Sequence, residues 1–233
     1  MNKVKGNMYN FVTHTHNVIK GTCPHLCTYC YMNKLIKLGW VKPKPLYFDE
    51  KKVNENLGSN KFIFIGSSCD MFAENIPREW IISVFIQACK YNENKYLFQT
   101  KNPRRYFDFD CYFSRKNHYL GITLETNRWY NPMGGAPVPR IRKEHFANMR
   151  GFNRFVTIEP IMDFDPFIFI PMIKEIAPNS VNIGADSGNN GLTEPPKEKV
   201  IELIGELRKF TKVNLKQNLK RIIGDVHNES FNG

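Results

Sequence analysis

Short runs of apolar, β-branched and aromatic residues alternate along the chain with longer stretches whose apolar positions recur every three or four residues. Runs of the first kind fit strands and stretches of the second fit helices, because strand side chains alternate between faces while helical ones return after a turn. Strands are predicted at Phe11 to His16, Lys61 to Gly66, Tyr96 to Gln99, Tyr119 to Thr123, Arg154 to Ile158 and Ser180 to Gly184, with a closing strand at Val213 to Leu215. Helices are predicted near Tyr31 to Leu38, from Pro77 with Trp80, Ile81, Val84, Phe85 and Ala88 on one stripe, and after Pro195-Pro196 with Val200, Leu203, Ile204, Leu207 and Phe210 on another. Proline suits those starts because its fixed φ matches the first helical turn.

Strands alternating with helices predict an α/β domain with a parallel sheet and helical crossovers. Six or so such units are too few to close an eight-fold barrel, so the expected architecture is a partial (β/α)6-type barrel. No repeat, low-complexity linker or shift in composition divides the chain, which predicts one domain over residues 1–224 and a frayed tail over 225–233. In such folds chemistry sits on the loops that follow the carboxyl ends of the strands.

Composition narrows the class of protein. The 233 residues are 42% hydrophobic and 13% aromatic, enough for a sizeable core. No stretch approaches the roughly 18 apolar residues of a membrane span, and the opening Met-Asn-Lys-Val-Lys-Gly-Asn lacks the apolar core of a signal peptide, so a cytoplasmic protein without membrane contact is expected. Basic residues outnumber acidic ones 33 to 22, a formal charge of +11 that attracts anions such as nucleic acid or nucleotides. These basic residues are spread along the chain, which equally describes a solvated face.

Three of the six cysteines, Cys23, Cys27 and Cys30, fall within eight residues, while Cys69, Cys89 and Cys111 are scattered. This distribution suits a metal site in a reducing compartment better than a disulfide framework. Three thiolates on a tight loop can hold three corners of a four-iron, four-sulfur cluster and leave the fourth iron open for an exogenous ligand. A zinc site is the alternative, with His25, His16 or His14 as fourth ligand, which would describe a zinc-stabilised nucleic-acid-binding module. A cluster used only for electron transfer or redox sensing is a third reading.

The segment Cys23-Pro-His-Leu-Cys27-Thr-Tyr-Cys30 resembles the Cys-x-x-x-Cys-x-aromatic-Cys signature of the radical S-adenosylmethionine superfamily, with Tyr29 at the aromatic position. Further segments, Leu120 to Asn127, Arg154 to Pro160, Asn182 to Gly188 and Lys216-Gln-Asn218, are similar to phage-associated members of unassigned function and, through them, to the spore photoproduct lyase branch. One departure is Ala185-Asp186, where such relatives tend to carry Gly-Glu. The resemblance implies the radical S-adenosylmethionine kind of partial TIM barrel, and two cofactors, the 4Fe-4S cluster and S-adenosylmethionine. It also implies an electron donor such as flavodoxin or ferredoxin, and reductive cleavage to a 5′-deoxyadenosyl radical that abstracts a substrate hydrogen.

The same resemblance assigns roles to strand-end residues. Cys23, Cys27 and Cys30 would ligate the cluster, and Tyr29, Gly66, Ser67 and Ser68 would flank the bound S-adenosylmethionine. Lys101 would meet its carboxylate, Thr123 and Glu125 its ribose or amine, and Glu159 ends the fifth strand at the same rim. Cys69 is the candidate for returning a hydrogen atom to the product. Asp70 and Glu74 are expected to face substrate. The loop Arg128-Trp-Tyr-Asn-Pro-Met-Gly-Gly135, aromatic and glycine-hinged, is expected to stack on a base or to act as a lid.

Overall fold

The chain is seen here as a computed structural model, which describes residues 1–4 and 8–224; the tail expected to fray, 225–233, lies outside the described residues. In chain order the elements are β1 (Asn2–Lys3), β2 (His14–His16), β3 (Ile19–Lys20), α1 (Tyr31–Lys37), β4 (Tyr47–Phe48), α2 (Glu50–Val53), β5 (Phe62–Ile65), α3 (Arg78–Lys90), β6 (Lys95–Thr100), β7 (His118–Thr123), α4 (Pro139–Ala147), β8 (Asn153–Ile158), α5 (Pro166–Ile176), β9 (Ser180–Ile183), α6 (Lys197–Arg208), β10 (Lys212–Leu215) and α7 (Lys220–Ile223).

One eight-stranded sheet runs in the order β1-β2-β5-β6-β7-β8-β9-β10. Only the β1–β2 pair is antiparallel; the other seven strands are parallel neighbours. The fold is therefore the expected α/β partial barrel, extended to seven parallel strands because Val213 to Leu215 does pair, with Val181 to Ile183. Among the described residues no helix is long and apolar enough to cross a membrane.

Strand periodicity explains the layering. Ile63 and Ile65, Tyr96 and Phe98, Leu120 and Ile122, Val156 and Ile158, and Val181 and Ile183 point outward and join the main core with the apolar stripes of α3, α5 and α6. The intervening residues point into the barrel, and their character changes along the strands. Phe62, Phe64, Leu97, Tyr119 and Phe155 lie toward the amino ends, where Tyr9, Phe11 and Val12 pack among them. Gln99, Thr123 and Thr157 follow at the carboxyl ends, joined by the Tyr9 hydroxyl, which lies 2.7 Å from Gln99 Oε1 and 2.9 Å from Thr157 Oγ1. The barrel is thus filled at one end and polar at the other.

The sequence prediction departs from the fold in several places. Only His14 to His16 of the expected first strand pair in the sheet; Phe11 leaves it to pack on Phe62 and Phe155. A small ribbon, β3 with β4, brings residues 45–48 back beside the cysteine loop. Helices α4 and α5 were not predicted; α4 is mostly polar, and α5 carries Pro171 within it, on its exposed face.

Candidate active site

The cysteine loop leaves the sheet after β2 and ends in α1, with Cys30 at the helix N-cap. It is held from two sides. The Asp70 carboxylate, after β5, lies 2.8 Å from His25 Nε2 and also accepts from Thr100 Oγ1 at 2.9 Å, Lys101 N at 2.7 Å and Phe72 N at 3.0 Å. Burial opposes its charge, but His25 and the backbone donors outweigh burial and hold the Asp70 carboxyl below its usual range. Asp70 therefore anchors the loop, and it also lines the cavity that the sequence expected it to face.

The second support comes from the loop expected to be a lid. Thr28 N donates to Pro132 O at 2.9 Å, Gly135 N to His25 O at 2.7 Å, and Cys27 Sγ to Met133 O at 3.2 Å. Gly134 has φ +60°, and a Cβ on it would lie 2.2 Å from His25 O. Residues 130–135 are thus a clamp packed backbone to backbone on the cysteines, and Trp129, 53% exposed, is not in the cavity wall.

The carboxyl ends of the strands surround a cavity of about 900 Å³. Its wall contains Cys23, Cys27, Cys30, Tyr29, Gly66, Ser67, Ser68, Cys69, Lys101, Thr123 and Glu159, residues drawn from four strand ends and the loop. Ser67 Oγ and Ser68 N bond the Asn17 side chain, which no sequence signal singled out. Glu159 accepts from Lys216 Nζ at 2.6 Å and Asn218 Nδ2 at 3.2 Å. It rests on Gly184, where a Cβ would come within 2.6 Å of its carboxylate. Asp186, the departure from the resemblance, also lines the cavity and organises its own turn by accepting from the backbone of Gly188 and Asn190. Glu74, expected to face substrate, instead accepts from Asn102 Nδ2 at 3.1 Å and is absent from the wall.

Glu125 requires a correction. It is fully buried behind the wall, not in it, and its carboxylate accepts from Arg142 Nη1 at 2.7 Å, Lys101 Nζ at 2.5 Å and the Tyr29 hydroxyl. Burial works against its charge, but Arg142 and Lys101 outweigh it and hold the Glu125 carboxyl far below its usual range. Lys101, whose charge the same carboxylate secures, lies 4.6 Å from the Tyr29 ring centre. The predicted cofactor contact of Glu125 thus becomes a support for two residues that do line the cavity.

The thiols differ among themselves. A hydrogen bond from Cys69 draws Cys23 down to about 6 against its burial, and the same contact pushes Cys69 up. Burial raises Cys27 and Cys30. Among the described residues no three His, Cys, Asp or Glu side chains converge tightly enough to hold a single ion, and His16 and His25 are engaged with Gln87 and Asp70. Three thiols spread around one cavity wall fit a cluster, whose thiolates bind separate irons. The cavity volume and its strand-end polar groups fit a ligand of nucleoside size.

Solved structures of spore photoproduct lyase share this fold. A cysteine-to-serine mutant aligns with a TM-score of 0.64 at 10% identity over 92% of this chain and 79% of that one. A tyrosine-to-phenylalanine mutant gives 0.59 at 10% identity, over 85% and 74%. A double mutant with bound AdoMet and dinucleoside spore photoproduct gives 0.54 at 12% identity over 88% of this chain, which spans 64% of that chain's length. No curated protein matches the sequence. Residues 8–191, most of the chain, match the family described as Protein of unknown function (DUF5131), and this chain belongs to that family.

Proposed function

We propose that the chain is a radical S-adenosylmethionine enzyme acting on a nucleotide or nucleic-acid base. One observation carries the reading: the three loop cysteines and the strand-end residues Gly66, Ser67, Ser68, Lys101, Thr123 and Glu159 line a single cavity. Cys23, Cys27 and Cys30 would hold the cluster, which would supply an electron to the sulfonium of S-adenosylmethionine and, with it, the means of removing a substrate hydrogen.

The chain's own residues hold and shape that chemistry. Asp70 and the 130–135 clamp both hold the cysteine loop, one through the His25 side chain and the other through the loop backbone and Cys27, so its thiols are presented in one arrangement. Gly66, with φ +75°, turns the backbone at the end of β5, and the backbone there is open to close approach by the cofactor's amine. Glu125 fixes Tyr29 against Lys101. The buried apolar packing of Tyr9, Val12, Phe64 and Leu97 closes the barrel below the cavity and keeps water out from that side. Cys69, in the wall beside Cys23, is the proposed hydrogen-atom donor to a substrate radical. A nucleotide-like substrate is supported by the +11 charge, and by the dinucleoside bound in the neighbouring lyase structures.

The test is anaerobic reconstitution with iron and sulfide, followed by reduction by a flavodoxin- or ferredoxin-type donor in the presence of S-adenosylmethionine. Near four irons per chain and release of 5′-deoxyadenosine are expected. Zinc in place of iron, or a cluster that never yields 5′-deoxyadenosine, would return the chain to a structural or electron-transfer role. Deuterium passing from a labelled oligonucleotide into 5′-deoxyadenosine is the expected result for substrate.

A further inference from the structure

The outer rim of the cavity is built by a segment that neither the cysteine motif nor the strand ends require. From Tyr31 to Phe48 the chain carries four lysines, Lys34, Lys37, Lys42 and Lys44, and no acidic residue. Among the described residues none of the four forms an ion pair. Trp40, Lys42, Lys44 and Tyr47 line the mouth of the cavity, and Trp40 is 75% exposed. Lys34 reaches across that mouth, its Nζ 3.2 Å from Ser187 O, another wall residue.

This rim is fixed in place. Trp40 N donates to Leu35 O at 3.0 Å, which closes the turn after α1, and Thr22 N and Oγ1 both donate to Lys44 O at 3.0 Å. Gly21, at φ +98°, lets residues 45 and 46 pack on the start of the cysteine loop, since a Cβ there would come within 2.1 Å of Pro45 O. Lys44 Nζ sits 5.7 Å from the Tyr47 ring centre. An indole held out in water on a rigid turn, among cations that no protein carboxylate neutralises, has the two components of a single-strand site: a face for a base to stack on and charges that follow a phosphate backbone. A duplex keeps its base faces against one another and leaves Trp40 nothing to stack on. An apolar protein surface or an uncharged membrane would leave the lysines uncompensated, and an acidic polypeptide would leave Trp40 without a base to stack on.

We infer that Trp40 and Tyr47, with Lys34, Lys42 and Lys44, form a docking platform for single-stranded nucleic acid at the mouth of the cavity. The strand lies along the lysines, one base stacks on Trp40, and a neighbouring base is directed toward the cysteine loop. This rests on the reading of the cavity as a reaction site only for its purpose. The binding itself is a property of the rim.

The experiment is fluorescence anisotropy of the full chain, before and after cluster reconstitution, with a labelled twelve-nucleotide single strand of DNA or RNA. A duplex of the same sequence, a free mononucleotide and polyglutamate are the comparisons. The single strand is expected to bind best, with affinity falling steeply as salt rises. Lys42→Ala with Lys44→Ala should lower the log–log salt slope by roughly 1.4, from about 0.7 per phosphate contact on single strands. Trp40→Ala should weaken binding by roughly five- to a hundredfold, and Trp40→Phe should retain most of it. The exposure of Trp40 makes folding of these variants straightforward to verify by circular dichroism.

Equal binding of duplex or polyglutamate, a mononucleotide that binds as well as the oligomer, or a Trp40→Ala variant with unchanged affinity would each overturn the platform. Iron content and 5′-deoxyadenosine are measured on the same samples. Binding that persists without them counts against the radical chemistry alone, and their persistence without binding counts against the platform alone.

Discussion

A glutamate that follows a strand can face the rim of a barrel or turn behind it, and Glu125 shows how burial and partners separate the two. Its position after β7 was legible in the sequence, but its role was not, because the partner that decides it, Arg142, lies in a polar segment with no helical stripe to announce α4. Arg142 is fully buried, and its Nη1 bonds both Glu125 and Thr123 O. Arg142→Met removes one partner of a buried ion pair, which costs roughly 3 to 5 kcal/mol. Urea unfolding should show that loss at unchanged m-value, and a loss under about 1 kcal/mol would mean that Lys101 alone secures the carboxylate. The cysteines are a contrasting case, since their spacing was readable locally. Cys23→Ala, Cys27→Ala or Cys30→Ala should each abolish the reconstituted cluster's visible absorbance, whereas Cys89→Ala and Cys111→Ala, both exposed and outside the cavity wall, should leave it intact. Full iron retention in any of the first three would disprove the ligand set.

Among the elements, the strands were legible because each carries an outward apolar face that only a parallel, helix-covered sheet can bury. The clamp was not. The glycines and aromatic residues of the 128–135 loop signalled mobility or stacking, and nothing local shows that Gly134 has its φ because the backbone of another loop lies against it. Gly134→Ala tests the clamp directly: a Cβ 2.2 Å from His25 O must push the two loops apart, and the positive φ adds strain. Iron bound per chain after reconstitution should fall well below the parent value while the sheet's far-ultraviolet signal stays. Unchanged iron would show that Asp70 suffices to shape the loop. The β3–β4 ribbon escaped the sequence for a different reason, its two-residue strands being too short for a period to register.

For the whole molecule, acid is the relevant stress. Burial pulls His118 down to about 4, amid the rings of Phe85, Tyr96, Phe98 and Phe113, with its Nδ1 accepting from Ser114 N. The unfolded chain, whose histidines titrate near 6.5, binds the extra proton first. Stability is therefore complete above about pH 6.5 and falls as pH drops toward 4, by about 3 kcal/mol from this one residue. Buried His16, also lowered, adds to the slope. Below that range Asp70 and Glu125, both depressed, lose their contributions in turn. Unfolding free energies measured from pH 7 to 4 should decline, and His118→Gln should flatten the decline; an unchanged slope would place the acid sensitivity elsewhere.

The clamp also sets an order of events during synthesis. Cys27 and Met133 are separated by 106 residues, so at roughly 5 to 20 residues per second the thiols leave the ribosome about 5 to 20 seconds before their support exists. In that interval the loop lacks the backbone contacts that residues 132–135 give it. On the proposed reading, metal delivered before residue 135 has emerged would meet no shaped cradle, and the thiols would wait uncovered until the fourth βα unit has closed over them.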